Sequence, residues 1–126
     1  MKDELEQPNI TELQAWDQRN KSRTEEEKKA VFIQLGAINA VRDERQRQEK
    51  KWGEQNHDPY TYLAILIEEV GEYAQACLQT QFGGKHGGLD HMREAAVQTA
   101  AVALAIVECL DRSKWQWPHV TKGGEG

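Results

Sequence analysis

Apolar residues recur at helical spacing in the first half of the chain. A capping box begins at Thr24, whose hydroxyl can accept from the amide of Glu27 while the Glu27 carboxylate reaches back to the cap. Apolar positions then follow at intervals of three and four residues as far as Val41, before a charged stretch that ends at Trp52. This pattern predicts a long helix that starts beside Thr24 and becomes solvated toward its end.

Two further long helices are predicted in the second half. Asp58-Pro59 is typical of a cap followed by a first-turn proline, and the helix it starts continues to about Gln81. The glycine-rich residues 83–88 interrupt it, after which Asp90 can cap a helix that runs to about Arg112. The predicted fold class is therefore all-α.

The predicted architecture is a helical bundle of three long helices plus a short N-terminal helix, completed by oligomerisation. Residues 1–22 are assigned to an arm with the short helix, 23–114 to the helical domain and 115–126 to a flexible tail. The segment 95–107 is apolar at every position except two, and six of its apolar residues are alanine, so burial nearly all round is expected. That much burial in so short a chain predicts a second subunit, in a homodimer or a homotetramer.

Composition and charge exclude several classes of protein. The 126 residues predict one domain, and a net charge of −5 argues against a nucleic-acid partner. No stretch reaches the apolar length of a membrane span or a signal peptide, so we expect a cytoplasmic protein with no membrane association. The two cysteines, Cys77 and Cys109, fall in apolar helical stretches and are expected to be reduced packing thiols.

Three glutamates form the most informative cluster. Glu68, Glu69 and Glu72 span an arc of about 100° on the second long helix, within roughly one turn. A divalent cation would relieve the repulsion among them, and Mg²⁺ is usually held by one or two carboxylates together with waters and phosphates. An ordinary solvated helix face is the alternative. Because the rest of this helix is apolar, we expect the glutamates to line a cleft.

Polar residues on two other segments can complete such a site. His91, Glu94 and Gln98 share one face of the last helix, and Gln98 stands in an almost wholly apolar stretch. This face either completes the metal site or is exposed at Glu94 with Gln98 bonded to a neighbour.

The segment around Lys51, Trp52, Gln55 and His57 precedes the acidic helix. It combines cationic groups, an aromatic plane and amide donors, which suit contacts to phosphate and base. An ordinary helix end with Trp52 packed on the core is the alternative.

The motifs KWGEQNHDP, EEVGE and VQTAAVALAIVE together resemble the MazG-like all-α nucleoside triphosphate pyrophosphohydrolases, in particular their small single-domain forms. The resemblance covers roughly residues 30–112 and implies that Glu69 and Glu72 bind Mg²⁺, with Mn²⁺ as the alternative ion. It implies an ExxD or ExxQ motif on the next helix. Here Gln98 takes the last position, Ala95 stands where a carboxylate is expected, and the neighbouring Glu94 is the candidate replacement.

The resemblance implies a Mg²⁺-dependent hydrolase that cleaves a nucleoside triphosphate into the monophosphate and pyrophosphate. A glutamate from the set Glu68, Glu69 and Glu72 would orient or deprotonate the attacking water, with His57 as the alternative base. Lys51, Trp52, Gln55 and His57 would contact the nucleotide. Because Ala95 removes one expected ligand, a non-catalytic or weakly active helical module that binds nucleotides and oligomerises is the alternative function.

Overall fold

The structure is a computed structural model that describes residues 10–112. Within this range it contains helices and no strand, which confirms the all-α class. The helices are α1 (Ile10–Asn20), α2 (Glu25–Trp52), α3 (Pro59–Phe82) and α4 (Leu89–Arg112). None of the helices in the described range has the length and hydropathy needed to cross a membrane. The predicted tail, 115–126, and residues 1–9 of the predicted arm lie outside the described residues.

Contacts divide the chain into two compact units, Met1–Gly36 and Ala37–Gly126, with the boundary inside α2. The first unit extends beyond the predicted arm because it includes the first turns of α2. The capping box is present there: the Glu27 amide donates to Thr24 Oγ1 at 3.1 Å, and the Thr24 amide donates to Glu27 Oε1 at 3.3 Å. The predicted start of the first long helix is thus confirmed.

In the second unit, α3 and α4 pack on each other as a helical hairpin. Most of the buried side chains at this contact are small, which lets the two helices approach closely. The buried apolar residues are Tyr62, Ala76, Ala95, Ala101, Val102 and Cys109, of which Tyr62 is the one large side chain. Ala95 and Cys109 belong to the face of α4 that meets α3, whereas Ala96 and Ala103 are exposed and Val107 is 52% exposed. Within one chain α4 is therefore buried on one face only, unlike the all-round burial that its composition predicts.

The connection between α3 and α4 is tied back to the end of α3. The Gly88 amide donates to Thr80 Oγ1 at 2.7 Å, and the His86 amide donates to Gln79 Oε1 at 2.8 Å. A side chain at Gly87 would collide with the backbone of Gln79, so only glycine fits this close approach. The glycine-rich segment therefore forms a turn, held by hydrogen bonds to α3, that brings α4 back along α3.

The segment between α2 and α3 is held in place by hydrogen bonds from side chains of α3 and α4. The Tyr62 hydroxyl and Arg112 Nη2 both donate to the Gln55 carbonyl, at 2.8 and 3.0 Å. Arg112 Nε also donates to Asn56 Oδ1 at 3.0 Å. Asp58 caps α3 by accepting from the amides of Tyr60 and Thr61. These bonds hold the segment that follows Trp52 against the start of α3 and the end of α4.

Candidate functional site

A cleft of about 280 Å³ lies within the second unit, bordered by α2, α3 and α4. Charged and amide side chains from all three helices line it. Its acidic end is lined by Glu44, Gln48, Glu69, Glu72 and Gln98. The volume lies just below the range of roughly 300–1,000 Å³ for small-molecule sites, so a nucleotide would extend beyond it.

The cleft brings together predicted residues from three separate segments. Trp52 ends α2, Gln55 follows it, Glu69 and Glu72 lie one turn apart on α3, and Gln98 comes from α4. The hairpin of α3 and α4 is what places Gln98 opposite the glutamates. The expectation that glutamates of this helix line a cleft is met by Glu69 and Glu72.

Four other predicted residues do not line this cleft. Glu68 is exposed, and Lys51 Nζ lies over the Trp52 ring at 4.6 Å from its centroid. The His57 ring packs edge-on against Tyr62 and borders a separate apolar pocket with Cys109. Glu94 is exposed and lines two neighbouring clefts. Within the described chain, His57 is therefore remote from the acidic end as a candidate base.

The ionised form of Glu69 is electrostatically unfavourable in the cleft. Its Oε2 atom is buried and has no hydrogen-bond partner among the described residues. Burial raises the pKa of Glu69 above its usual value, and the negative charges of Glu72 and Glu68 raise it further. A hydrogen bond with the Glu72 side chain and the negative charge of Glu44 also raise the pKa of Glu69. Ionised Glu69 therefore lacks a positive partner.

The chemistry of this end suits a hard divalent cation. Mg²⁺ prefers oxygen ligands and takes one or two carboxylates together with waters and phosphate oxygens. Glu69 and Glu72 supply two carboxylates and Gln98 a neutral amide oxygen, and the unpartnered Glu69 oxygen is the atom that a cation would satisfy. Within residues 10–112 no three His, Cys, Asp or Glu side chains are placed so that they could hold a metal ion together, so an ion here would have at most two carboxylate ligands from this chain. The residues fit an ion that retains waters and is shared with phosphates.

Sequence reasoning missed the contribution of α2 to the acidic end. Glu44 accepts from Arg47 Nε and Nη2 at 2.8 and 2.6 Å, and from Gln48 Nε2 at 3.2 Å. Its side chain is only 12% exposed. The Arg47 bonds hold the pKa of Glu44 below its usual value, so this carboxylate is ionised at neutral pH. In sequence, Glu44 and Arg47 are indistinguishable from the solvated charged stretch around them.

Arg45 is the second cleft residue that the sequence did not single out. It is 9% exposed, and its Nη2 donates to Glu49 Oε2 at 2.7 Å and to Glu108 Oε1 at 2.8 Å. The Glu108 bond links α2 to α4 within the second unit, because the two residues belong to different helices. Arg45 thus anchors the end of α2 from which Trp52 projects.

Comparisons of this chain with protein-family models, with curated proteins and with solved structures give no match. The resemblance to the MazG-like enzymes therefore stays a prediction from motifs.

We predict that Glu69→Gln changes how the stability of the metal-free protein depends on pH. A carboxyl whose pKa is raised on folding contributes stability that is complete below its unfolded pKa and is lost as pH rises through the folded pKa. Glutamine is neutral throughout. As pH rises above about 4, the ordinary pKa of a glutamate, the free energy of unfolding of the wild type should therefore fall relative to that of Glu69→Gln.

Urea unfolding of both proteins over this pH range, with a chelator present, measures the difference. Glu26→Gln is the matched control, because Glu26 is exposed and is not one of the charges that raise the pKa of Glu69, so its pH dependence should stay close to that of the wild type. Parallel curves for the wild type and Glu69→Gln would show that the Glu69 charge is not destabilising.

Proposed function

We propose that this chain is a Mg²⁺-dependent nucleoside triphosphate pyrophosphohydrolase of the MazG-like type, which it resembles in its motifs. The observation that carries the proposal is the buried, unpartnered oxygen of Glu69 in a cleft shared with Glu72 and Gln98. An uncompensated buried carboxylate is costly, and a bound cation relieves that cost. We expect Mn²⁺ to support the same activity in place of Mg²⁺.

The two ends of the cleft suit the two ends of a nucleotide. Glu69 and Tyr62 are seven residues apart on α3, about 10 Å along the helix axis. Trp52 and Gln55 line the cleft together with Tyr62, and the Trp52 ring is 53% exposed and available to stack on a base. The base would lie at the Trp52 end and the phosphates at the acidic end.

Water attack on the α-phosphorus is the reaction that this arrangement supports. Mg²⁺, when bound, would neutralise the negative charge that develops on the phosphates in the transition state. A new bond forms from the water oxygen to phosphorus, the bond to the α–β bridging oxygen breaks, and pyrophosphate leaves. A glutamate of the set Glu68, Glu69 and Glu72 would orient the water and accept its proton, as the resemblance implies.

A non-catalytic nucleotide-binding module is the second candidate. The observation that favours it is Ala95, which is buried on α4 and offers no ligand where the resemblance expects a carboxylate. Such a module would retain its affinity for nucleotides when Mg²⁺ is chelated and would release no product. Calorimetry with and without a chelator, combined with a product assay, separates the two functions.

A homo-oligomer, a homodimer or a homotetramer, is part of the proposal. α3 exposes large apolar side chains on the side away from Glu69, at Leu63, Ile67, Val70 and Leu78. An apolar stripe of this kind is typical of an interface. A second copy of this chain is the occupant that the bundle predicted from the sequence requires.

The activity test uses purified protein, Mg²⁺ and a panel of ribonucleoside and deoxyribonucleoside triphosphates. We expect pyrophosphate and the monophosphate from at least one of them, and no orthophosphate. Glu69→Gln and Glu72→Gln should each lower the rate of pyrophosphate release by at least about 100-fold, because each removes a negative ligand oxygen. Glu26→Gln, an exposed change in the first turn of α2, is the matched control. Absence of pyrophosphate with every nucleotide at high protein concentration overturns the proposal.

Base stacking predicts a separate effect at Trp52. Trp52→Ala should raise KM about tenfold with little change in kcat, since stacking on an aromatic ring contributes about 1–3 kcal/mol. Trp52→Phe retains an aromatic face and should recover most of the affinity. Steady-state kinetics with the preferred nucleotide measure both variants, and an unchanged KM in Trp52→Ala would place the base elsewhere.

The oligomer is tested by placing a charge in the apolar stripe. The wild type is expected to sediment at a multiple of the 14.4 kDa chain mass, and Ile67→Asp should shift it toward that mass. Ile67 is 59% exposed within one chain, so the substitution does not bury a charge in the monomer. Gln75→Asp, an exposed change elsewhere on α3, should leave the assembly intact. A monomeric wild type would contradict this part of the proposal.

A further inference from the structure

We propose that the phosphate tail of the nucleotide extends past Glu72 into a second cleft, where His86 and His91 bind its β- and γ-phosphates. This placement of the tail rests on the proposed function, because the tail is the part that leaves as pyrophosphate. It gives a role to two imidazoles beside the glycine-rich turn that the proposed reaction does not otherwise use.

The second cleft continues the first along α3 and α4. It has a volume of about 320 Å³, and both clefts are lined by Glu72 and Gln98, where they meet. Its other polar lining residues include Gln75, His86 and His91. The first cleft, of about 280 Å³, is too small for a whole nucleotide, and the second offers the space for the remainder.

The order of residues along α3 and α4 gives the nucleotide a direction. On α3, Tyr62 lies at the base end of the first cleft, and Glu69 and Glu72 follow about 10 and 15 Å further along the helix axis. On α4, which runs back along α3, His91 precedes Gln98 by seven residues, or about 10 Å. A tail that starts at the Tyr62 end and passes Glu72 therefore runs toward His91.

The turn between α3 and α4 places the two imidazoles side by side at that end. Their ring centroids are 6.4 Å apart. The His86 amide donates to Gln79 Oε1 at 2.8 Å, and His91 Nδ1 lies 2.8 Å from the Gly87 carbonyl oxygen. Because a carbonyl oxygen only accepts, Nδ1 is the donor in this bond, which leaves Nε2 of His91 as the nitrogen available to a ligand.

Imidazoles in this position suit phosphate oxygens. A charged imidazole donates from both nitrogens, and a hydrogen bond between charged groups is about twice as strong as a neutral one. Both rings belong to exposed residues, so a ligand can reach them. His91 is also the third residue of α4, where the positive end of the helix dipole favours an anion.

A second metal centre is the alternative use of two histidines beside an acidic residue, since Glu94 lines the same cleft. Among residues 10–112, however, no group of three histidine, cysteine or acidic side chains could hold a metal ion. Glu94 is exposed, so solvent ions screen its repulsion of a phosphate. The arrangement favours an anion at the imidazoles over a metal.

The test measures binding of inorganic pyrophosphate to the full chain by isothermal titration calorimetry with Mg²⁺ present. His91→Asn retains an amide donor for the Gly87 carbonyl and lacks Nε2, so the turn stays held, and His86→Ala changes an exposed side chain. We expect each variant to weaken pyrophosphate binding about tenfold. KM for the preferred nucleoside triphosphate should rise by a similar factor, whereas inhibition by the corresponding monophosphate, which has no tail, should not change.

Arg93→Gln is the matched control. It removes an exposed positive charge two residues from His91, but Arg93 borders the cleft between α2 and α4 instead. Its pyrophosphate binding should stay within about twofold of the wild type. An equal loss in Arg93→Gln and His91→Asn would show a general effect of charge and overturn the assignment.

Three other results also overturn it: unchanged pyrophosphate binding in both histidine variants, an equal loss of monophosphate affinity, or a wild type that binds no pyrophosphate. If the wild type hydrolyses a nucleoside triphosphate and the histidine variants bind pyrophosphate normally, the proposed function stands and the placement of the tail fails. If pyrophosphate binding depends on both histidines but no nucleotide is hydrolysed, the proposed function fails and the phosphate site remains.

Discussion

The cost of placing unpaired negative charge in a partly buried cleft is the constraint on which the proposed site depends. Glu69 lies among Glu72, Glu68 and Glu44, and burial and repulsion together raise its pKa. A folded chain can tolerate such a group by protonating it, by pairing it with a base or by binding a cation. Within the described chain Glu69 has no basic partner, whereas Glu44 has Arg47. The two carboxylates therefore differ in charge compensation: Glu44 is paired with a cation of the protein and Glu69 is not.

Basic residues in the second unit are engaged in holding the framework of the cleft. Arg45 connects α2 with α4 through Glu108, and Arg112 fastens the segment that follows Trp52. These ion pairs and hydrogen bonds join parts of the chain that share few other contacts, whereas the contact between α3 and α4 depends on small apolar side chains. Orientation of Trp52 and Gln55 relative to the glutamates therefore depends on charged contacts, which are directional.

Composition alone is a poor guide to burial here, because α3 and α4 both expose apolar side chains within one chain. α4 is mostly apolar, yet one of its faces is exposed in the chain, and α3 exposes Leu63, Ile67 and Leu78. An apolar face identifies a helix that needs a neighbour, but it does not say which neighbour supplies the contact. The resemblance to MazG-like enzymes, together with the cleft, leads to the proposal of a second copy.

Sequence patterns alone were enough to predict the long helices and the two glutamates of α3 that line the cleft. Local signals were sufficient for Thr24, Asp58 and the glycine-rich turn, because caps and turns depend on residues a few positions apart. Glu69 and Glu72 were predictable because one helix carries both. Only the packing of the helices shows that Glu44 lines the same cleft and that Arg45 is buried. It also places His57 at a separate pocket, and Glu94 at neighbouring clefts, one of which Glu94 shares with Glu72 and Gln98. Each of these depends on how separate helices pack, and a charged residue looks the same in sequence whether it faces water or a cleft.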